Sequence, residues 1–189
     1  MRYMIAYLLR GKPAWRVRQL ADELADVFSL EPTSQKIAPH LTLKAPFETT
    51  NERNIEELKN LLATFVKNRQ PAALAYRGFG QFDRRVVFVY IKPSAEATTL
   101  IADLTKELRR LPWLRFSRTD GEKHLHATIA YAERRSQFED IKKYLADESV
   151  ELEGAIDNIS ILCQEKDHRS PWKLFAEYSF VTFPVEAEL

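Results

Sequence analysis

Pro39-His40-Leu41-Thr42-Leu43-Lys44 alternates polar and apolar residues with period two, the pattern of a strand with one face in a core. Leu41 and Leu43 point one way; His40, Thr42 and Lys44 point the other. The same grammar returns at His124-Leu125-His126-Ala127-Thr128-Ile129. There Leu125, Ala127 and Ile129 face inward, and His124, His126 and Thr128 face outward. A His-x-Thr-hydrophobic unit thus occurs twice, at His40/Thr42 and His126/Thr128, 86 positions apart, and three of the four histidines lie in these two strands. A single unit of this kind is ordinary sheet surface. The pair predicts one site assembled from two equivalent strands.

The flanking segments repeat as well. Residues 2–9 read as a buried strand. Gly11 and Pro13 break it, and Val17, Leu20, Leu24 and Phe28 recur at helical spacing before the first motif. After the motif, Thr49 and Glu52 offer a capping box for a helix with Ile55, Leu58, Leu62 and Phe65 on one face. Residues 72–82 read as a strand bent around Gly78 and Gly80, and Val86 to Ile91 is the most apolar strand. A helix carrying Leu100, Leu104 and Leu108 leads through a basic, aromatic loop, 112–123, into the second motif. A helix with Phe138, Ile141 and Leu145, a strand over 151–165 and a last strand near 173–183 complete the chain. The repeated order strand, helix, motif strand, helix, strand predicts an internal duplication. The expected fold is α+β and bilobal, with antiparallel sheets lining a central cleft and helices packed outside. It forms a single domain over 1–189, with motif strands near 39–45 and 124–130.

Composition narrows the function. With 28 basic and 27 acidic residues the formal charge is +1, which gives no general nucleic-acid footprint but leaves room for a local basic cleft. Cys163 is the only cysteine, so an intrachain disulfide and a multi-cysteine zinc site are both excluded. The first apolar run is too short for a signal peptide, and no run approaches ~20 apolar residues. A cytoplasmic monomer with no membrane partner is the default expectation. No dinucleotide fingerprint, phosphate loop or nucleophile elbow is present, and no cofactor is expected.

Two opposed imidazoles can divide acid–base work near neutral pH. One removes a proton from an attacking water or hydroxyl; the other protonates a leaving oxygen. Phosphodiester cleavage needs these transfers on opposite sides of phosphorus. A threonine two residues along lies on the same strand face, about 6–7 Å away, where its hydroxyl can donate to a nonbridging oxygen. Lys44, on that face, could add positive charge; its counterpart is Ala130. The chemical competitor is a three-histidine metal site built from His40, His124 and His126.

The tetrapeptides His40-Leu41-Thr42-Leu43 and His126-Ala127-Thr128-Ile129 resemble the paired His-x-Thr/Ser-hydrophobic signature of the 2H phosphoesterases. Pro39 before the first motif resembles the bacterial 2′-5′ RNA ligase-like branch. The resemblance implies a metal-independent phosphodiesterase acting on 2′,3′-cyclic phosphate or 2′-5′ linked nucleotide or RNA ends. By position it makes His40 and His126 the catalytic pair and Thr42 and Thr128 the phosphate ligands. We assign His126 as base and His40 as acid, a choice the sequence does not decide. The alternatives are a noncatalytic nucleotide or RNA-end binding protein and a hydrolase of a non-RNA small-molecule phosphodiester.

A nucleotide would also need stacking and cationic contacts. Besides Lys44, the candidates are Tyr76, Phe79 and Arg84 in the first half, and Trp113, Arg118, His124, Arg169 and Trp172 in the second.

Overall fold

The first strand, β1 (Arg2–Leu8), is buried along most of its length because both of its edges are paired and both of its faces covered. Gly11, at φ +59°, turns the chain into α1 (Gly11–Phe28). Then follow α2 (Thr33–Lys36), β2 (His40–Glu48), α3 (Glu52–Val66), β3 (Ala72–Phe82), β4 (Val86–Pro93) and α4 (Ala95–Leu108). The chain continues with β5 (His126–Tyr131), α5 (Arg135–Leu145), β6 (Glu151–Ile156), β7 (Asn158–Gln164) and β8 (Lys173–Ser179). The computed structural model describes residues 1–117, 120, 124–165 and 170–181.

Two four-stranded antiparallel sheets result, ordered β2-β1-β7-β8 and β5-β4-β3-β6. They are built alike. In each, the motif strand lies at an edge beside the strand that precedes it, and the intervening helix (α1 or α4) forms the connection. This is the expected bilobal, duplicated α+β fold. The remaining strands are exchanged between lobes: β3 follows the first motif but joins the second sheet, and β7 and β8 join the first.

The predicted strand over 151–165 is two strands in different sheets, with Asp157 alone between them. Asn158 fixes the crossing. Its fully buried amide donates from Nδ2 to Leu8 O (2.9 Å) and accepts at Oδ1 from Leu8 N (3.1 Å). The side chain thereby carries the ladder on where β1 ends. A local pattern cannot show which sheet receives each half of such a stretch, because both halves have strand character.

The helical faces are those the spacing predicts: α1 buries Val17, Leu20 and Leu24, α3 buries Ile55, Leu58 and Leu62, and α4 buries Leu100, Leu104 and Leu108. The start of α3 differs. Asn51 is the cap and accepts from Arg53 N at 3.0 Å, while Thr49 Oγ1 accepts from Asn51 N. Glu52 is then the first helical residue instead of the third, so the Thr49/Glu52 capping box does not form. One apolar core joins both lobes, with Ile5, Leu41, Val89 and Ala127 from the strands against the helices. The other faces of the motif strands are left for the cleft. No helix among the described residues is long and apolar enough to cross a membrane.

Candidate active site

Each motif histidine is oriented by the same local device. Pro39 disfavours a helical conformation at the residue before it, and the Ala38 carbonyl accepts from His40 Nδ1 at 2.9 Å. In the second lobe the His124 carbonyl accepts from His126 Nδ1 at 2.9 Å. The intervening residue is tied to the neighbouring strand in both cases, by Leu9 N to Pro39 O (3.0 Å) and Ile91 N to Leu125 O (2.9 Å). A carbonyl can only accept, so both imidazoles carry hydrogen on Nδ1. Nε2 is left in each ring for chemistry.

The two motifs are close and crossed. His40 and Thr128 line one small cavity, and Thr42 and His126 line its neighbour. Each histidine thus shares a cavity with the threonine of the other motif. Burial pushes the half-buried His40 imidazole down from 6.5 to about 4; the Ala38 carbonyl opposes this, and the nearby His126 reinforces it. Among the described residues, Thr42 Oγ1 has only the Met4 thioether as acceptor, at 3.7 Å. A sulfur contact of that length is weak, so the hydroxyl can turn to a better acceptor.

Aromatic rings fix His126. Phe82 and Phe88 each have ring centroids 4.9 Å from it, and Tyr90 lies 6.1 Å from His124. Phe88 and Tyr90 alternate with the core residues Val87, Val89 and Ile91, and β4 pairs Phe88 with Thr128 and Tyr90 with His126. Gly80 makes room for this layer. A Cβ there would meet Phe88 at 2.4 Å and Tyr90 at 2.6 Å. Sequence reading missed Phe88 and Tyr90; the period-two alternation within the apolar run was the available signal.

The other predicted contacts divide. Lys44 does not share the face of His40 and Thr42. The β2 register slips by one residue between the pairs Ala6↔Thr42 and Ile5↔Lys44, so Lys44 stands opposite buried Ile5. Its side chain is 2% exposed and its Nζ donates to Asp120 Oδ2 at 3.0 Å. The side chain of Asp120, also unforeseen, is enclosed and accepts from Ala45 N (2.8 Å) and Ser117 N (2.6 Å) as well. Burial raises its pKa, but these donors and Lys44 outweigh that and hold the carboxyl below its ordinary value.

Tyr76 is likewise corrected. It is 0% exposed in the core, its hydroxyl toward Tyr7. Phe79 pairs with Val89 and packs on the core side, because the β3 bulge at Gly78 (φ +68°) resets the alternation. Trp113 donates from Nε1 to Glu57 (2.7 Å) and packs on Phe47, away from the motifs. Trp172 does lie on the Thr42 side of its sheet, against Met4, Ala6 and Leu162, with the Arg2 guanidinium 5.4 Å from its ring. His124 lines the Thr42/His126 cavity. Arg84 is exposed at the tip of the β3–β4 hairpin. Arg118 and Arg169 lie outside the described residues. Among the described residues, no group of three or more His, Cys, Asp or Glu side chains could hold a metal ion.

Two lobes whose edge strands bring paired His-x-Thr units together define the class, a 2H phosphoesterase. The chain belongs to the 2′-5′ RNA ligase superfamily, whose family model matches residues 10–168. A Bacillus pumilus (strain SAFR-032) protein with a provisional phosphoesterase name is 26% identical over 137 residues, spanning 71% of this chain and 75% of the relative. Among solved structures, TT0787 of Thermus thermophilus superposes with a TM-score of 0.64 at 18% identity, covering 95% of this chain and 98% of that one. Escherichia coli LigT complexed with 3′-AMP gives 0.56 at 15% identity, covering 96% and 98%. At these identities the two structures speak for the fold.

Proposed function

We propose that the protein is a metal-independent phosphodiesterase acting on 2′,3′-cyclic phosphates or 2′-5′ linkages at nucleotide or RNA ends. The observation that carries this reading is the crossed pair of imidazoles, each tied at Nδ1 to a backbone carbonyl two residues back and each beside the other motif's threonine. In hydrolysis of a cyclic phosphate, neutral His40 takes a proton at Nε2 from water as the water oxygen bonds to phosphorus. The bond from phosphorus to one ribose oxygen breaks, and protonated His126 gives that oxygen its proton from Nε2. Thr42 and Thr128 donate to the nonbridging oxygens, where charge accumulates. Solvent then restores both protonation states. The lowered His40 pKa favours it as the base, which reverses the assignment made from sequence. Of the substrate contacts expected from sequence, His124, which lines the Thr42/His126 cavity, and Trp172, on the Thr42 side of its sheet, remain part of this reading.

The direct test is turnover of nucleoside 2′,3′-cyclic phosphates and 2′-5′ dinucleotides with a chelator present. Loss of activity on chelation would overturn the metal-independent reading, and binding without turnover would mark a noncatalytic protein. Thr42→Ala and Thr128→Ala should each lower kcat/KM by about 1–3 kcal/mol, roughly 5- to 150-fold, if each loses one hydrogen bond to charged phosphate.

The pH dependence has a defined sign. His40 must be neutral to act as base, so the acid limb of kcat/KM should fall near pH 4, well below an ordinary imidazole at 6.5. The same shift acts on stability. Between about pH 6.5 and 4 the unfolded chain binds a proton at His40 that the folded chain does not, so stability drops as pH falls through that window. Urea titrations of wild type and His40→Asn should show this loss in the wild type and a smaller one in the variant.

A further inference from the structure

The duplication creates two equivalent grooves, and the described residues fill only one of them. The first lies between α1 and the motif strands. Val17 and Ala21 face Pro39 and His40 there, with Thr128 and Tyr131 across. The second lies between α4 and the motif strands, where Ile101 and Thr105 face Leu125 and His126, with Thr42 and Ala45 across. The correspondence is positional: each groove holds one motif's histidine, the other motif's threonine and the residue three beyond that threonine. In the first groove α2 acts as a plug. Thr33 and Ser34 line it, Thr33 Oγ1 donates to Ile129 O at 3.4 Å, and about 20 Å³ is left. Among the described residues α2 has no helical counterpart in the second lobe, and the second groove encloses about 510 Å³.

The walls of the open groove say what it would hold. Leu41, Leu43, Ile101 and Leu125 are aliphatic and continuous with Thr42 and His126. Thr98, Ile101 and Thr105 form one stripe on α4 at helical spacing, which exposed Arg109 continues at the helix C-cap. Arg109 is propped by the Phe116 ring, 4.3 Å away, and makes no ion pair among the described residues. Among the described residues of the wall the one carboxylate, Asp120, is already matched by Lys44. Among its described residues the groove therefore presents an apolar trough with a cation, Arg109, that no carboxylate there pairs.

We propose that this groove is a second-phosphate subsite: it takes the nucleotide adjoining the reacting phosphodiester, sugar against the aliphatic wall and phosphate on Arg109. The proposal rests on the phosphodiesterase reading above and adds substrate length to it. A guanidinium holds phosphate through charge-assisted, often bidentate, hydrogen bonds. The test compares adenosine 2′,3′-cyclic phosphate with the 3′-5′ dinucleotide ApA ending in a 2′,3′-cyclic phosphate. The wild type should favour the dinucleotide in kcat/KM by about 10- to 100-fold. Arg109→Met, which keeps an apolar contact with Phe116, should erase that preference through KM while the mononucleotide changes less than about threefold. A melting curve guards against misfolding. Equal turnover of both substrates by the wild type, or a preference that survives Arg109→Met, would overturn the subsite and leave the phosphodiesterase reading intact. No turnover of either substrate would instead overturn the phosphodiesterase reading and the subsite with it.

Discussion

His126→Ala and His40→Ala should each lower turnover of a 2′,3′-cyclic nucleotide by about 10²–10⁴-fold, the usual range for removing a positioned general acid or base. Folding should survive both changes. Each ring stands on a half-buried edge strand, and its Nδ1 hydrogen bond goes to a backbone carbonyl of the same segment. The double variant should be little worse than the more damaged single one, because both proton transfers belong to one transition state. His126→Ala also removes a partner from Phe82 and Phe88, so its melting temperature should drop more than that of His40→Ala. Single-turnover assays with circular dichroism on the same samples check both points. Two well-folded variants with undiminished rates would end the two-histidine mechanism.

Lys44→Met should destabilise the protein by about 3–5 kcal/mol, the cost of leaving one member of a buried ion pair alone. Asp120 would keep its bonds from Ala45 N and Ser117 N, which places the effect toward the lower end. The pH dependence separates this from simple loss of packing. In the wild type the Asp120 carboxyl is held below its ordinary value, so its contribution is present above about pH 4 and lost as pH falls through the folded pKa. In Lys44→Met that carboxyl titrates higher, and protonation relieves the unpaired charge. The deficit against wild type should therefore shrink between about pH 7 and pH 5 in urea unfolding. Lys44→Met/Asp120→Asn should recover much of the loss, a coupling that a double-mutant cycle measures directly. A deficit independent of pH, with no recovery in the double variant, would show that the pair contributes by shape alone.

The Lys44–Asp120 pair also joins the first motif strand to the segment that leads into the second. Thr42 lies two residues before Lys44, and His124, whose carbonyl orients His126, lies four residues after Asp120. A residue expected to touch substrate is instead a tie between the two halves of the site.

The sequence by itself determined the motif strands, the helical faces and the doubled order of elements. Period-two and period-3.6 patterns are local, and burial of one face enforces both. It also singled out His40, Thr42, His126 and Thr128, because a rare residue type recurred in one pattern. Only the tertiary structure decided where Lys44 and Phe79 point, since a one-residue bulge reverses every side chain beyond it without altering the composition of the strand, whereas Tyr76 precedes the β3 bulge and follows Ala72 and Leu74 into the core. It alone decided that residues 151–164 divide between two sheets, that Phe88 and Tyr90 stand against His126 and His124, and that Asp120 reaches Lys44. Those outcomes depend on which strands become neighbours, and pairing is settled by contacts between distant segments that no local stretch contains.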